Sequence, residues 1–123
     1  MNETEFEEKV FALIKPELKL QNPGGGQSII KNISEAGNIC YQRGNSKIYV
    51  NIKDLYDAYN MFRGRKCSSN DLKAYNPSVF DSTKGRHNCN CTFFFSLLKE
   101  IHIIKEIKGT GTRGSPFYIE IAA

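Results

Sequence analysis

Nowhere in these 123 residues does an apolar run reach the length of about 18 that a membrane-spanning helix needs. The opening stretch Met1-Asn2-Glu3-Thr4-Glu5 carries acid where a secretory leader carries positive charge ahead of an apolar segment. A cytoplasmic protein with reduced thiols is the expectation. No segment repeats another and no tract is of low complexity, so a repeat array is set aside. Paired metal knuckles are missing too. Cys67, His87, Cys89 and Cys91 carry zinc-type donors, but zinc takes four ligands in a tetrahedron, usually from two short-spaced pairs. Buried thiols and a polar loop histidine are the expected reading, with no metal and no cofactor. A Cys89–Cys91 disulfide is set aside because neighbours so close seldom meet the bridge geometry.

Catalytic constellations are equally absent. A cysteine nucleophile needs a base, such as His87 or His102, and a group to orient it. Asp54, Asp57, Asp71 and Asp81 do not sit in a strand beside a paired acid and a lysine, as a nuclease set does. Gly24-Gly25-Gly26 lacks the lysine of a phosphate cradle and reads as a hinge. No enzyme is expected.

What is present is an ordinary globular composition, 40% hydrophobic and 24% charged, enough for one domain with a real core. The net charge is +4, unevenly spread. Residues 1–27 hold three lysines against five glutamates. Residues 63–113 hold ten lysines and arginines against four carboxylates. A polyanionic partner is the physical reading of that second segment; a solvated basic face is the alternative.

Along the chain, Phe6, Val10, Leu13 and Ile14 recur at helical spacing over 3–15. Residues 1–22 are expected to form a helical arm, 23–27 a glycine-rich joint, and 28–123 a single domain. The arm docks either on the body or on a second copy, which makes a homodimer an expected possibility. Ile29–Ile33, Asn38–Arg43 and Lys47–Val50 read as strands, the last two joined at Gly44-Asn45. Asn51 is placed to cap a helix over 52–62, with Ile52, Leu55, Tyr59 and Phe62 on one stripe and Gly64 beyond its end. Ser68-Ser69 cap a short helix at about 70–75, which Pro77 stops. After the loop 77–90 comes an apolar helix over 91–101. Ile103–Ile107 and Phe117–Ile121 then flank the tip Gly109-Thr110-Gly111-Thr112-Arg113-Gly114 as a closing hairpin.

A capped short helix, a second apolar helix and a hairpin with a charged tip resemble the winged helix-turn-helix. The resemblance covers roughly residues 52–121, and the tail is similar to DNA-binding modules attached to bacterial restriction and phage-defence proteins. The loop 77–90 is longer than the tight turn most members use. The fold class expected is therefore α+β, a winged-helix-like three-helix core with β-hairpins behind an N-terminal amphipathic helix. The resemblance implies double-stranded DNA as partner, in a regulator or a defence-associated binder. The alternative is a protein–protein adaptor module dimerising through the first helix.

Carried onto this chain, the resemblance makes the helix beginning near Cys91 the recognition helix, with Asn88, Asn90 and Thr92 at its exposed start. Asparagine can hold adenine through two bonds; capping and turn roles explain Asn88 and Asn90 equally well. Lys84, Arg86 and His87 suit phosphate, or a solvated loop. Arg113, between glycines, is the wing candidate. Arg63, Arg65 and Lys66 suit the nucleic-acid backbone, or complement a helix C-terminus. Ser69 suits phosphate, or acts as a cap. Phe93-Phe94-Phe95 is core first, with at least one of the three rings expected toward a second surface such as the first helix or a partner subunit. Tyr41 and Tyr49 offer stacking faces to unpaired bases, and packing is the simpler role for both.

Overall fold

The structure is a computed structural model, and it describes residues 1–81 and 89–123. The chain is α+β, with a four-stranded antiparallel sheet, a two-stranded sheet and helices arranged in winged-helix-like fashion. Helix α1, Glu3–Leu13, begins at Asn2, whose side chain accepts from the Glu5 amide while Glu5 reaches back to the Asn2 amide. Glu3 and Glu5 lie in its first turn, where the helix dipole favours acid. Its inward residues Phe6 and Val10 are buried, and the Phe6 ring lies 5.6 and 5.5 Å from Tyr56 and Tyr59.

Strands β1 (Lys19–Gln21), β2 (Gln27–Ile33), β3 (Asn38–Arg43) and β4 (Ser46–Asn51) form a meander in sequence order. Register places Leu20, Ile30, Tyr41, Ile39, Ile48 and Val50 on one buried face. Gln42, Lys47, Tyr49 and Asn38 fall on the other. The two-residue turn between β3 and β4 has Gly44 at φ +60° and Asn45 at an ordinary φ, the type II′ pattern that matches strand twist.

Helix α2, Ile52–Met61, starts at Asn51, whose side chain accepts from the Lys53 amide at 2.8 Å. Strand β5 (Lys66–Ser68) leads into α3 (Ser69–Tyr75), capped reciprocally by Ser68 and Asp71. A single turn, α4 (Pro77–Phe80), follows, then α5 (Cys89–Glu100) and finally β6 (Tyr118–Glu120). The caps at Asn51 and Ser68 were legible because each needs only residues two or three positions away.

Three expectations change. The closing hairpin does not form between 103–107 and 117–121. Residues 103–107 are not a strand, and β6 pairs with β5 instead, Cys67 opposite Ile119. The wing is held by a bridge between Lys108 and Tyr118 and a tighter one between Thr112 and Ser115. The glycine joint is not a hinge between bodies. Asn22 to Gly26 is the turn of the β1–β2 hairpin, closed by the Asn22 amide on the Gly26 carbonyl at 3.0 Å. Nor is 1–22 a separate arm, because Phe6, Val10, Ile14 and Leu20 belong to the same core as Ile39, Leu55 and Phe95. Of the two docking options for the first helix, the body of its own chain takes it.

Candidate nucleic-acid interface

Helix α5 is apolar nearly all round, and a helix of that kind is a buried one. Phe93, Phe94, Phe95, Leu97 and Leu98 are all fully buried. On one side Phe94 meets Phe80 of α4 at 6.1 Å. The other side lies under the four-stranded sheet. There the Tyr41 ring stacks on Phe93 at 3.9 Å and 5°, and Ser96 Oγ donates to the Gln21 carbonyl at 3.1 Å. Arg43 Nη1 donates to Thr92 Oγ1 at 2.7 Å. The second surface that the phenylalanine run meets is therefore the sheet, in place of the first helix or a partner subunit expected from the sequence.

That packing corrects the recognition-helix assignment. In winged-helix proteins the second helix of the motif enters the major groove; here the sheet occupies the side of α5 that such insertion needs. Asn90 is only 3% exposed. Its Oδ1 accepts from the Tyr41 hydroxyl at 2.7 Å and its Nδ2 donates to the Val79 carbonyl at 2.9 Å, so it is a core amide and not a base reader. Burial pushes the Tyr41 hydroxyl pKa well up, which keeps the proton in that bond. Thr92 is half-buried, donating to the Cys89 carbonyl while accepting from Arg43.

The bases ahead of α3 serve the fold. Arg63 packs 4.8 Å over the Tyr59 ring, and its Nη2 donates to the Met1 carbonyl. Its Nε is buried without a partner among the described residues. Arg65 Nη2 donates to the Met61 carbonyl at 3.1 Å, at the end of α2, and its guanidinium lies 5.0 Å over Phe62. That is the helix C-terminal complement. Lys66 Nζ sits 4.6 Å over Tyr118. Lys84, Arg86, His87 and Asn88 lie outside the described residues.

Three candidates do converge. Ser69, Thr92 and Arg113 line one open cleft of about 410 Å³ between α3, the first turn of α5 and the wing, joined by Asn70, Lys73 and Thr112. Among the described residues no carboxylate lines this cleft. Neither Lys73 nor Arg113 forms an ion pair among the described residues, whereas Lys31, Lys53 and Lys108 do. Two cations with hydroxyl and amide donors, and no acid among the described lining residues, suit an anion. Asn70 and Lys73 were missed from sequence, because α3 reads there as a short capped helix with no mark of which side meets the wing.

The wing is built to present Arg113. Ser115 N donates to the Thr112 carbonyl at 2.9 Å across Arg113-Gly114, and Gly114 takes φ +83°, a conformation that suits glycine. Behind the tip, Gly111 lies so near Phe117 that an added Cβ would sit 2.4 Å from its ring.

Three of the four thiols, Cys40, Cys67 and Cys91, are buried. Cys91 donates to the Phe80 carbonyl at 3.6 Å, and burial pushes its thiol pKa up to about 12. Burial, then Asp71, raises Cys67 further. Both shifts favour the protonated thiol. Cys89 is half-buried, and His87 lies outside the described residues. Among the described residues no three histidine, cysteine or acidic side chains are grouped to hold a metal.

A roomier cavity, about 600 Å³, lies between β1 and the last turn of α5. Its Lys19, Lys99 and Lys105 share it with Glu100 and with the carbonyl end of the helix, which repels anions. The smaller wing cleft is the better anion site. Among the described residues, no helix is long and apolar enough to cross a membrane. No protein-family model matches the chain, and neither a curated protein nor a solved structure does.

Proposed function

We propose that this protein binds nucleic acid, duplex DNA first, by taking the sugar–phosphate backbone into the cleft between the wing and α3. The observation that carries this reading is the meeting of Lys73 and Arg113 in a cleft with no acid among its described lining residues. Helix α5 acts here as a support. It holds α3, the wing and the sheet in place but reads no bases itself. Contacts of this type supply affinity and register, largely without sequence information.

Titration of a labelled duplex of about 25 base pairs at low salt tests the proposal; a site of this kind binds in the micromolar range. Arg113→Ala and Lys73→Ala should each weaken binding several-fold on every sequence and lower the salt slope by about one phosphate contact. No retention of any duplex at tens of micromolar protein ends the reading. An unchanged salt slope in both variants moves the contact away from this cleft.

A further inference from the structure

A second cleft, of about 340 Å³, runs along the free edge of β4, between the start of α2 and α4. Tyr49, Asn38, Asn51, Asp54 and Ser78 line it, with the buried Asn90 amide and Val50 beneath. Tyr49 is 68% exposed on the outer face of the sheet, an unusual place to leave a large ring. It stands opposite Cys40 on the neighbouring strand, and its exposure leaves the ring available for stacking.

The polar groups around that ring have defined senses. Asn51 Oδ1 caps the Lys53 amide, so Asn51 Nδ2 is the donor, given to Asn38 Oδ1 at 2.8 Å. Asn38 Nδ2 is then left with its hydrogens to offer. Asp54 is half-buried and takes no hydrogen bond or ion pair from the described residues. Burial, with Asp57 nearby, raises its carboxyl pKa above the usual range.

A stacking face, an unpartnered carboxylate and a free amide donor complement a flat heterocycle with adjacent N–H donors beside an acceptor. The carboxylate also disfavours a phosphate here. Among the nucleobases guanine fits: N1–H and the exocyclic amine suit Asp54, and O6 suits Asn38. Adenine and cytosine offer an amine without the neighbouring ring N–H. We propose that this cleft holds an unpaired guanine, stacked on Tyr49 and bonded through Asp54 and Asn38. The site goes beyond the wing reading and stands without it. Asn90 lines this cleft while Cys91 and Thr92 line the other, so the two meet at the first turn of α5.

The test uses the full chain, isotope-labelled, titrated with GMP, AMP, CMP and UMP while backbone amide signals are followed. GMP should move Tyr49, Val50, Asn51 and Val79 saturably and bind about tenfold more tightly than AMP. Asp54→Asn should abolish that preference. Tyr49→Ala should weaken all four nucleotides about tenfold, and Tyr49→Phe should restore them. The proposal is overturned if no nucleotide moves those signals, or if the guanine preference survives Asp54→Asn. Duplex titration of the same preparation separates the two sites. Guanine signals absent with duplex bound sinks this cleft alone; duplex unbound with the preference intact sinks the wing alone.

Discussion

Two side chains show how little a residue's identity says about its role. Asn90 reads alike in the sequence as a cap, a base reader or a core amide. Tyr41, 49 positions earlier, settles the matter by donating to it inside the core. His102 carries a φ of +64° just past the end of α5. The Ile103 amide reaches the Leu98 carbonyl at 2.9 Å and the His102 amide the Lys99 carbonyl at 3.1 Å, the bond pair of a Schellman closure. Glycine is the usual occupant of that left-handed position. An L-residue there costs about 1–2 kcal/mol, and glycine's freedom in the unfolded chain returns roughly half of that. His102→Gly should therefore stabilise the protein by about 0.5–1 kcal/mol, read as a higher midpoint in urea with an unchanged slope. A lower midpoint would show that the imidazole makes a contact worth more than the strain.

At the scale of elements, whatever depends on near neighbours was legible and whatever depends on distant ones was not. Both predicted caps, the β3–β4 turn and the apolar stripe of α2 lie where the sequence puts them. The strand expected over 103–107 failed for a tertiary reason. Ile101 and Ile104 are buried, closing the end of α5 into the core, and β6 finds its partner in β5, some fifty positions upstream. The wing that results is a stiff element. At Gly109 an added Cβ would fall 2.2 Å from the Pro116 carbonyl oxygen, and at Gly111 2.4 Å from the Phe117 ring, both at positive φ. Gly111→Ala should displace Phe117 and the tip, costing about 1–3 kcal/mol. Duplex binding should fall with it while the far-ultraviolet dichroism stays near wild type. Retained binding would mean that Arg113 needs no ordered wing.

At the scale of the whole molecule, the first helix and β1 belong to the domain. Deleting residues 1–22 removes Phe6, Val10, Ile14 and Leu20 from the core, and with them the cover over Tyr56 and Tyr59. Burying side chains of this size is worth about 1.5–3 kcal/mol each, so their joint loss rivals the full stability of a small domain. The truncated chain should show no cooperative unfolding transition by calorimetry. A sharp transition near the wild-type midpoint would restore the arm-and-joint view. Charge behaves similarly: the basic excess of residues 63–113 is plain in the sequence, but folding divides it. Arg63, Arg65 and Lys66 turn back onto aromatic rings, and Arg113 with Lys73 is left at the wing cleft.

Legible in the chain before folding are the α+β class, most helix starts and stops, the hairpin turn at Gly44-Asn45 and the separation of acidic from basic segments. Periodicity, capping and turn chemistry act over two to seven residues, so they are written locally. Packing of distant segments sets the sheathing of α5 on both sides, the cations left without an ion pair among the described residues, and the donors that gather at each cleft. Those outcomes rest on contacts between residues 49 to 75 positions apart, as Tyr41 with Asn90 and Ser96 with Gln21 show. Such pairings are chosen by how whole faces pack, and no local pattern records them.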